Sequence, residues 1–175
     1  MKTKDSGTYT KYEDKEFRLV RRRREEDWKP IGYYIGIREE KYIDERCIEQ
    51  YPGTEYAYYA RPVTSDEIEY LYEINHYVIC NGRKYKHFDY FPNESGLWIY
   101  AADWGKDEEI DPNYEVVERS RDGIYIKVPY DEVTLYETKT YYDKDKFINE
   151  DERVVLSEET YLIDEPWWLE ETKDN

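Results

Sequence analysis

The chain repeats itself. Pro62, Asp66-Glu67-Ile68 and Leu71-Tyr72-Glu73 return in the same order as Pro129, Asp131-Glu132-Val133 and Leu135-Tyr136-Glu137. An aromatic run precedes each copy, Tyr56-Ala57-Tyr58-Tyr59-Ala60 in one and Gly123-Ile124-Tyr125-Ile126-Lys127 in the other. Further upstream, Tyr33-Tyr34-Ile35-Gly36-Ile37 matches Leu97-Trp98-Ile99-Tyr100-Ala101, and Asp14 to Val20 matches Gly82 to Phe88 more loosely. Among the closer matches the offset stays between 64 and 67 residues. A repeat of that length constrains the fold strongly, because each copy must be one supersecondary unit. A unit of about 65 residues buries only about 60% of its unfolded surface, so two copies gain by packing together.

The matched runs alternate apolar and polar residues with period two and are rich in aromatic and β-branched side chains, the pattern of half-buried strands. Asn81-Gly82, Pro92-Asn93, Asp111-Pro112-Asn113 and Asp122-Gly123 punctuate them as turns, the Asn-Gly and Asp-Gly pairs being the best hairpin signals. Asp66 to Glu73 admits either a short helix capped by Ser65 or Asp66 or an extended form. In the second copy Pro129 and Val133-Thr134 favour an extended or single-turn form. The predicted class is mostly β, either all-β or α+β. It consists of two tandem, diverged, small antiparallel units of SH3-like or meander type, as separate barrels or packed as one body. Residues 1–80 form the first unit and 81–150 the second. Residues 151–175 form an acidic extension, expected to pack on the second unit through Val154-Val155-Leu156, Thr160-Tyr161-Leu162-Ile163 and Pro166-Trp167-Trp168-Leu169, either as one more strand or folded back on the body.

Chemistry is hard to find. The two histidines, His76 and His87, and the two cysteines, Cys47 and Cys80, lack the spacing of a four-ligand zinc site, and the cysteines are read as reduced, partly buried thiols. There is no GxSxG and no glycine-rich phosphate loop. Carboxylates are too abundant for any pair to stand out. The expectation is a non-enzymatic chain with no catalytic residue, cofactor or metal assigned. No apolar stretch is long enough for a signal peptide or a membrane span, which points to the cytoplasm.

The net charge of −16 repels nucleic acid and anionic membranes and suits a basic protein partner. Residues 1–30 carry net +3 and residues 31–175 net −19. The basic block Arg21-Arg22-Arg23-Arg24 is followed at once by Glu25-Glu26-Asp27 and reads as a solvated hairpin end. Twenty-two tyrosines and five tryptophans supply aromatic anchors, which inside a charged rim are the anatomy of a tight interface. The candidate partner-contact residues are Trp98, Tyr100, Asp103, Trp104, Asp107, Glu108 and Glu109, in and around the loop where the copies differ most, with Trp167 and Trp168 of the tail. The expected role is to neutralise a basic partner, as an immunity protein does for a bacterial toxin. The alternatives are a phage-type DNA mimic or anti-defence inhibitor of a nucleic-acid enzyme, and an adaptor whose two units offer similar sites. Oligomeric state is not readable from the sequence.

Overall fold

The structure is a computed structural model and describes residues 4–23 and 30–168. Its strands are β1 (Gly7–Tyr12), β2 (Lys15–Arg23), β3 (Pro30–Ile37), β4 (Ile48–Gln50), β5 (Tyr58–Val63), β6 (Ile68–Cys80), β7 (Arg83–Tyr85), β8 (Phe88–Asp89), β9 (Gly96–Ala102), β10 (Glu115–Ser120), β11 (Gly123–Pro129), β12 (Thr134–Tyr142) and β13 (Val155–Ile163). Strand makes up 54% and helix 13%, so the class is mostly β, with two antiparallel sheets. The nine-stranded sheet runs β13-β12-β6-β1-β2-β3-β5-β4, with β7 added to β6, and the four-stranded sheet runs β10-β11-β9-β8.

The order β2-β3-β5-β4 and the order β8-β9-β11-β10 are the same path traced twice. Register shows which residues correspond. Tyr33 faces Val63 and Ile35 faces Arg61 between β3 and β5, while Leu97 faces Val128 and Ile99 faces Ile126 between β9 and β11. A 3-10 turn follows each second strand, Ser65–Glu67 after β5 and Tyr130–Glu132 after β11. The recurring Asp-Glu therefore closes a turn in both places, and the aliphatic residue after it, Ile68 or Val133, re-enters extended chain. The two prolines are not equivalent: Pro62 lies within β5 opposite Tyr34, whereas Pro129 caps the second turn at the position Thr64 holds in the first. Thr64 makes a reciprocal capping box with Glu67, and Pro129 replaces it with a pre-set backbone angle.

The chain forms two compact units, Asp5–Ile74 with Lys139–Glu159, and Asn75–Thr138 with 160–168. It passes from one to the other within β6, β12 and β13. The N-terminal unit is built on Phe17, Leu19, Ile35, Ile37, Ile68 and Leu71, joined by Phe147 from the later segment. The C-terminal unit is built on Val78, Leu97, Ile99, Ile126, Val128, Leu135 and Trp168.

Tyrosines extend the N-terminal core to its rim. The hydroxyls of Tyr70 and Tyr72 both donate to Glu16, at 3.0 and 2.9 Å. Tyr9 stacks on Tyr72 at 5.7 Å, and Lys139 lies 3.9 Å from the Tyr72 ring centroid. Burial, followed by the Glu16 hydrogen bond, pushes the Tyr70 phenol up to about 12, and Tyr72 is raised further for the same reasons. Each ring thus packs its faces while its oxygen finds an acceptor, which is how a sheet can hold so many tyrosines.

One glycine is fixed by its backbone angle and another by close approach. Asn81 and Gly82 both have positive φ, +46° and +74°, and close the β6–β7 hairpin in the two-residue geometry that this pair favours. Gly96 faces Pro129, and a Cβ there would lie 2.2 Å from the Val128 carbonyl oxygen, a backbone atom that cannot step aside. Gly96→Ala is expected to cost about 1–3 kcal/mol by overpacking, lowering the thermal midpoint by roughly 2–10 °C. An unchanged melting curve would show that β9 and β11 do not meet this closely.

Candidate interaction surface

The loop between β9 and β10 is tied down by its own groups. Asp103 accepts the Lys106 amide at 3.1 Å, Gly105 takes the left-handed conformation with φ +84°, and a 3-10 turn spans Asp107–Glu109. The Tyr100 hydroxyl donates to Asp103 at 2.5 Å. The Lys106 ammonium sits 3.2 Å from Asp103 and 3.7 Å from Glu109, and Arg119 pairs with Asp107. The Tyr100 hydrogen bond, then Lys106, holds the Asp103 carboxyl below the usual range, and the same bond raises Tyr100. Asp103, Asp107 and Glu109 therefore have cationic partners, and Glu108 is the loop carboxylate with no ion pair among the described residues.

Trp104 is 62% exposed at the tip of this loop. The indole makes no ring contact among the described residues, whereas the surrounding backbone is held by the bonds above. An open cleft of about 650 Å³ lies against the same loop. Its lining includes Arg83, Lys84, Lys86 and His87 together with Tyr100, Glu108 and Glu109. The Arg83 guanidinium donates to the Glu109 carbonyl at 2.7 Å, and Lys84 lies 3.7 Å from the Tyr77 ring centroid. His87 and Tyr100, which both line the cleft, meet edge-on at 6.2 Å.

Of the nine residues chosen from sequence, Tyr100, Asp103, Trp104, Asp107, Glu108 and Glu109 come together on this loop and cleft. Trp98 is half-buried against Phe91 at 5.0 Å, and its indole N–H is buried without an acceptor among the described residues. Trp167 is half-buried between His76, at 5.7 Å, and Phe88, at 6.3 Å. Trp168 is 1% exposed within the C-terminal core, so its ring serves packing and offers nothing to a partner. Of the basic block, Arg21 pairs with Asp151 at 2.6 Å, while Arg24 and the acidic Glu25, Glu26 and Asp27 lie outside the described residues.

Two features of the C-terminal unit carry no local sequence signal. The cationic part of the cleft lining, from Arg83 to His87, reads in sequence as the charged-aromatic opening of a strand. His76 reads as an isolated histidine, yet it hydrogen-bonds Glu137 at 2.9 Å in a buried pair, and Tyr161 donates to the other Glu137 oxygen. Among the described residues no group of three or more His, Cys, Asp or Glu side chains is arranged to hold a metal ion, and no helix is long and apolar enough to cross a membrane. Both cysteines are free thiols raised chiefly by burial. No protein-family model, curated protein or solved structure matches the chain.

Proposed function

We propose that this chain is a non-enzymatic, acidic binding protein that neutralises a basic protein partner, an inhibitor of the immunity-protein kind acting in the cytoplasm, with Trp104 as its anchor. The observation that supports this reading is an indole exposed on a loop already ordered by Tyr100, Lys106 and Arg119. A rigid anchor loses little conformational freedom on binding, and a central aromatic residue ringed by charge is where binding energy concentrates. The charge of −16 favours encounter with a cationic surface. Internal pairing of three loop carboxylates argues against this loop as a phosphate-row mimic, which would need them unneutralised. An adaptor with two similar units is the second reading, favoured by the twice-used strand order.

The test is affinity capture from cells with the wild-type chain and with Trp104→Ala, identifying what each retains. A basic protein held by the wild type and weakened at least about tenfold by the substitution, and whose own activity falls when equimolar wild-type chain is added, is the expected result. Equal retention by both baits would remove Trp104 from the interface. A captured protein whose activity is untouched would end the inhibitor reading and leave the adaptor.

A further inference from the structure

The last strand of the nine-stranded sheet has one neighbour. β13 pairs with β12 and ends the strand order, so along its other side the backbone N–H and C=O groups have no partner strand among the described residues. Every residue of β13 except Ile163 is exposed. Within the N-terminal unit, Val154, Val155 and Leu156 are 43%, 54% and 66% exposed, three aliphatic side chains in succession. Natural edge strands are usually blunted by lysine, proline, a bulge or brevity. Val154 to Glu159 contains neither lysine nor proline, and its charged residues, Glu158 and Glu159, share one sign.

This edge is held in place. The Asp143 amide donates to the Val154 carbonyl at 2.8 Å, and the Thr140 hydroxyl donates to Glu158 at 3.0 Å. The turn that joins the two strands carries Phe147 into the N-terminal core, where it meets Tyr33 at 5.4 Å and Tyr142 at 5.5 Å. A strand anchored at its turn and along its inner side presents a finished template, so adding a partner costs little ordering in this chain.

We propose that the outer edge of β13 over Val155–Glu159, together with Val154 just before it, is a docking strand for an extended segment of a basic protein, aliphatic where it meets Val154 to Leu156 and bearing Lys or Arg where it meets Glu158 and Glu159. Complementarity selects this occupant over a second copy. Antiparallel self-pairing over these six residues sets Val154 against Glu159 and Val155 against Glu158, and parallel in-register pairing sets each glutamate against itself. Either arrangement would also join two chains of net charge −16. An added strand takes its affinity from main-chain hydrogen bonds and its selectivity from alternate side chains. The inference does not rest on the Trp104 reading, whose surface belongs to the other unit.

The test uses the full chain and a capped synthetic peptide of about ten residues, valine and threonine in one half and alternating lysine in the other. The peptide is expected to bind and to slow amide hydrogen exchange at Val155 to Glu159. Binding should weaken at least about tenfold when alternate peptide nitrogens are methylated, when its lysines are replaced by glutamate, or in the chain variant Leu156→Lys, whose exposed site leaves the melting curve unchanged. Trp104→Ala should leave it intact. Absence of binding, binding without protection of those amides, or indifference to N-methylation overturns the proposal. So does light scattering that shows the chain alone dimerising with Val155 to Glu159 protected, which would give the edge to a second copy.

Discussion

Replacing Trp168 with alanine is expected to lower stability by about 3–5 kcal/mol, the usual cost of emptying a large aromatic site in a core. The ring is among the largest fully buried side chains, in one cluster with Leu97, Ile99, Ile126, Val128 and Leu135. Three aromatic neighbours line it: Trp167 edge-on at 4.9 Å, Tyr130 stacked at 6.2 Å and Phe88 edge-on at 6.4 Å. Because Phe88 and Tyr130 come from separate strands and turns, neither is positioned to collapse into the space, and the cavity term adds to the lost transfer energy. With total stabilities of about 5–15 kcal/mol, the variant should unfold at much lower denaturant, with the slope of the transition preserved. Trp167→Ala, at a half-buried site, should cost distinctly less. Equal losses for the two would contradict the burial that separates them.

The second large effect concerns Arg61, only 2% exposed in the N-terminal unit. Its guanidinium donates to Asp44 at 3.0 Å and to Glu67 at 3.2 Å, and lies 4.5 Å from the centroid of the Tyr12 ring. Burial of the phenol, then its hydrogen bond with Glu13, pushes Tyr12 up to about 12. Removing both carboxylates, as Asp44→Ala with Glu67→Ala, strands a buried cation and is expected to cost about 3–5 kcal/mol. Arg61→Met should cost less, because the carboxylates it leaves behind are partly exposed and water can take over. The order of the two losses, read from urea unfolding, checks the account. Reversed, it would mean that the cation is solvated. The Glu67 carboxyl is lowered although burial, the largest influence, acts to raise it; the Thr64 amide and Arg46 together outweigh that burial. Its contribution is therefore complete above the ordinary carboxylate range and is lost as pH falls through its depressed value.

Much of the scaffold was legible. Period-two runs and turn pairs located most of β3, β5, β6, β9, β11 and β12, and Asn81-Gly82 marked a two-residue hairpin. The ambiguity over Asp66 to Glu73 resolves as a single 3-10 turn at Ser65–Glu67 followed directly by strand, because Thr64 and Glu67 satisfy the turn's amides and Ile68 is already buried. What local pattern could not distinguish is Trp104 from Trp168. Both stand among acidic residues, and only Phe88 and Tyr130, distant in sequence, decide that one is buried. The grouping of Lys139–Glu159 with Asp5–Ile74 is equally invisible, since it depends on long-range strand pairing rather than on any residue within the segment. Val154 to Leu156 announced a strand but not that both its faces would be exposed.

The passage of Phe147 into a core otherwise drawn from the first 74 residues has a consequence for how the protein is made. A chain emerging residue by residue from the ribosome presents Phe17, Ile35 and Leu71 well before the side chain that completes their packing, and the whole C-terminal core except Ile163, Trp167 and Trp168 is synthesised in between. The first unit begun thus cannot be finished before most of the second is made, unlike the N-to-C order in which tandem domains usually mature. A nascent chain stalled just after Thr138 would hold a first unit without Phe147 and a second unit that lacks Ile163, Trp167 and Trp168.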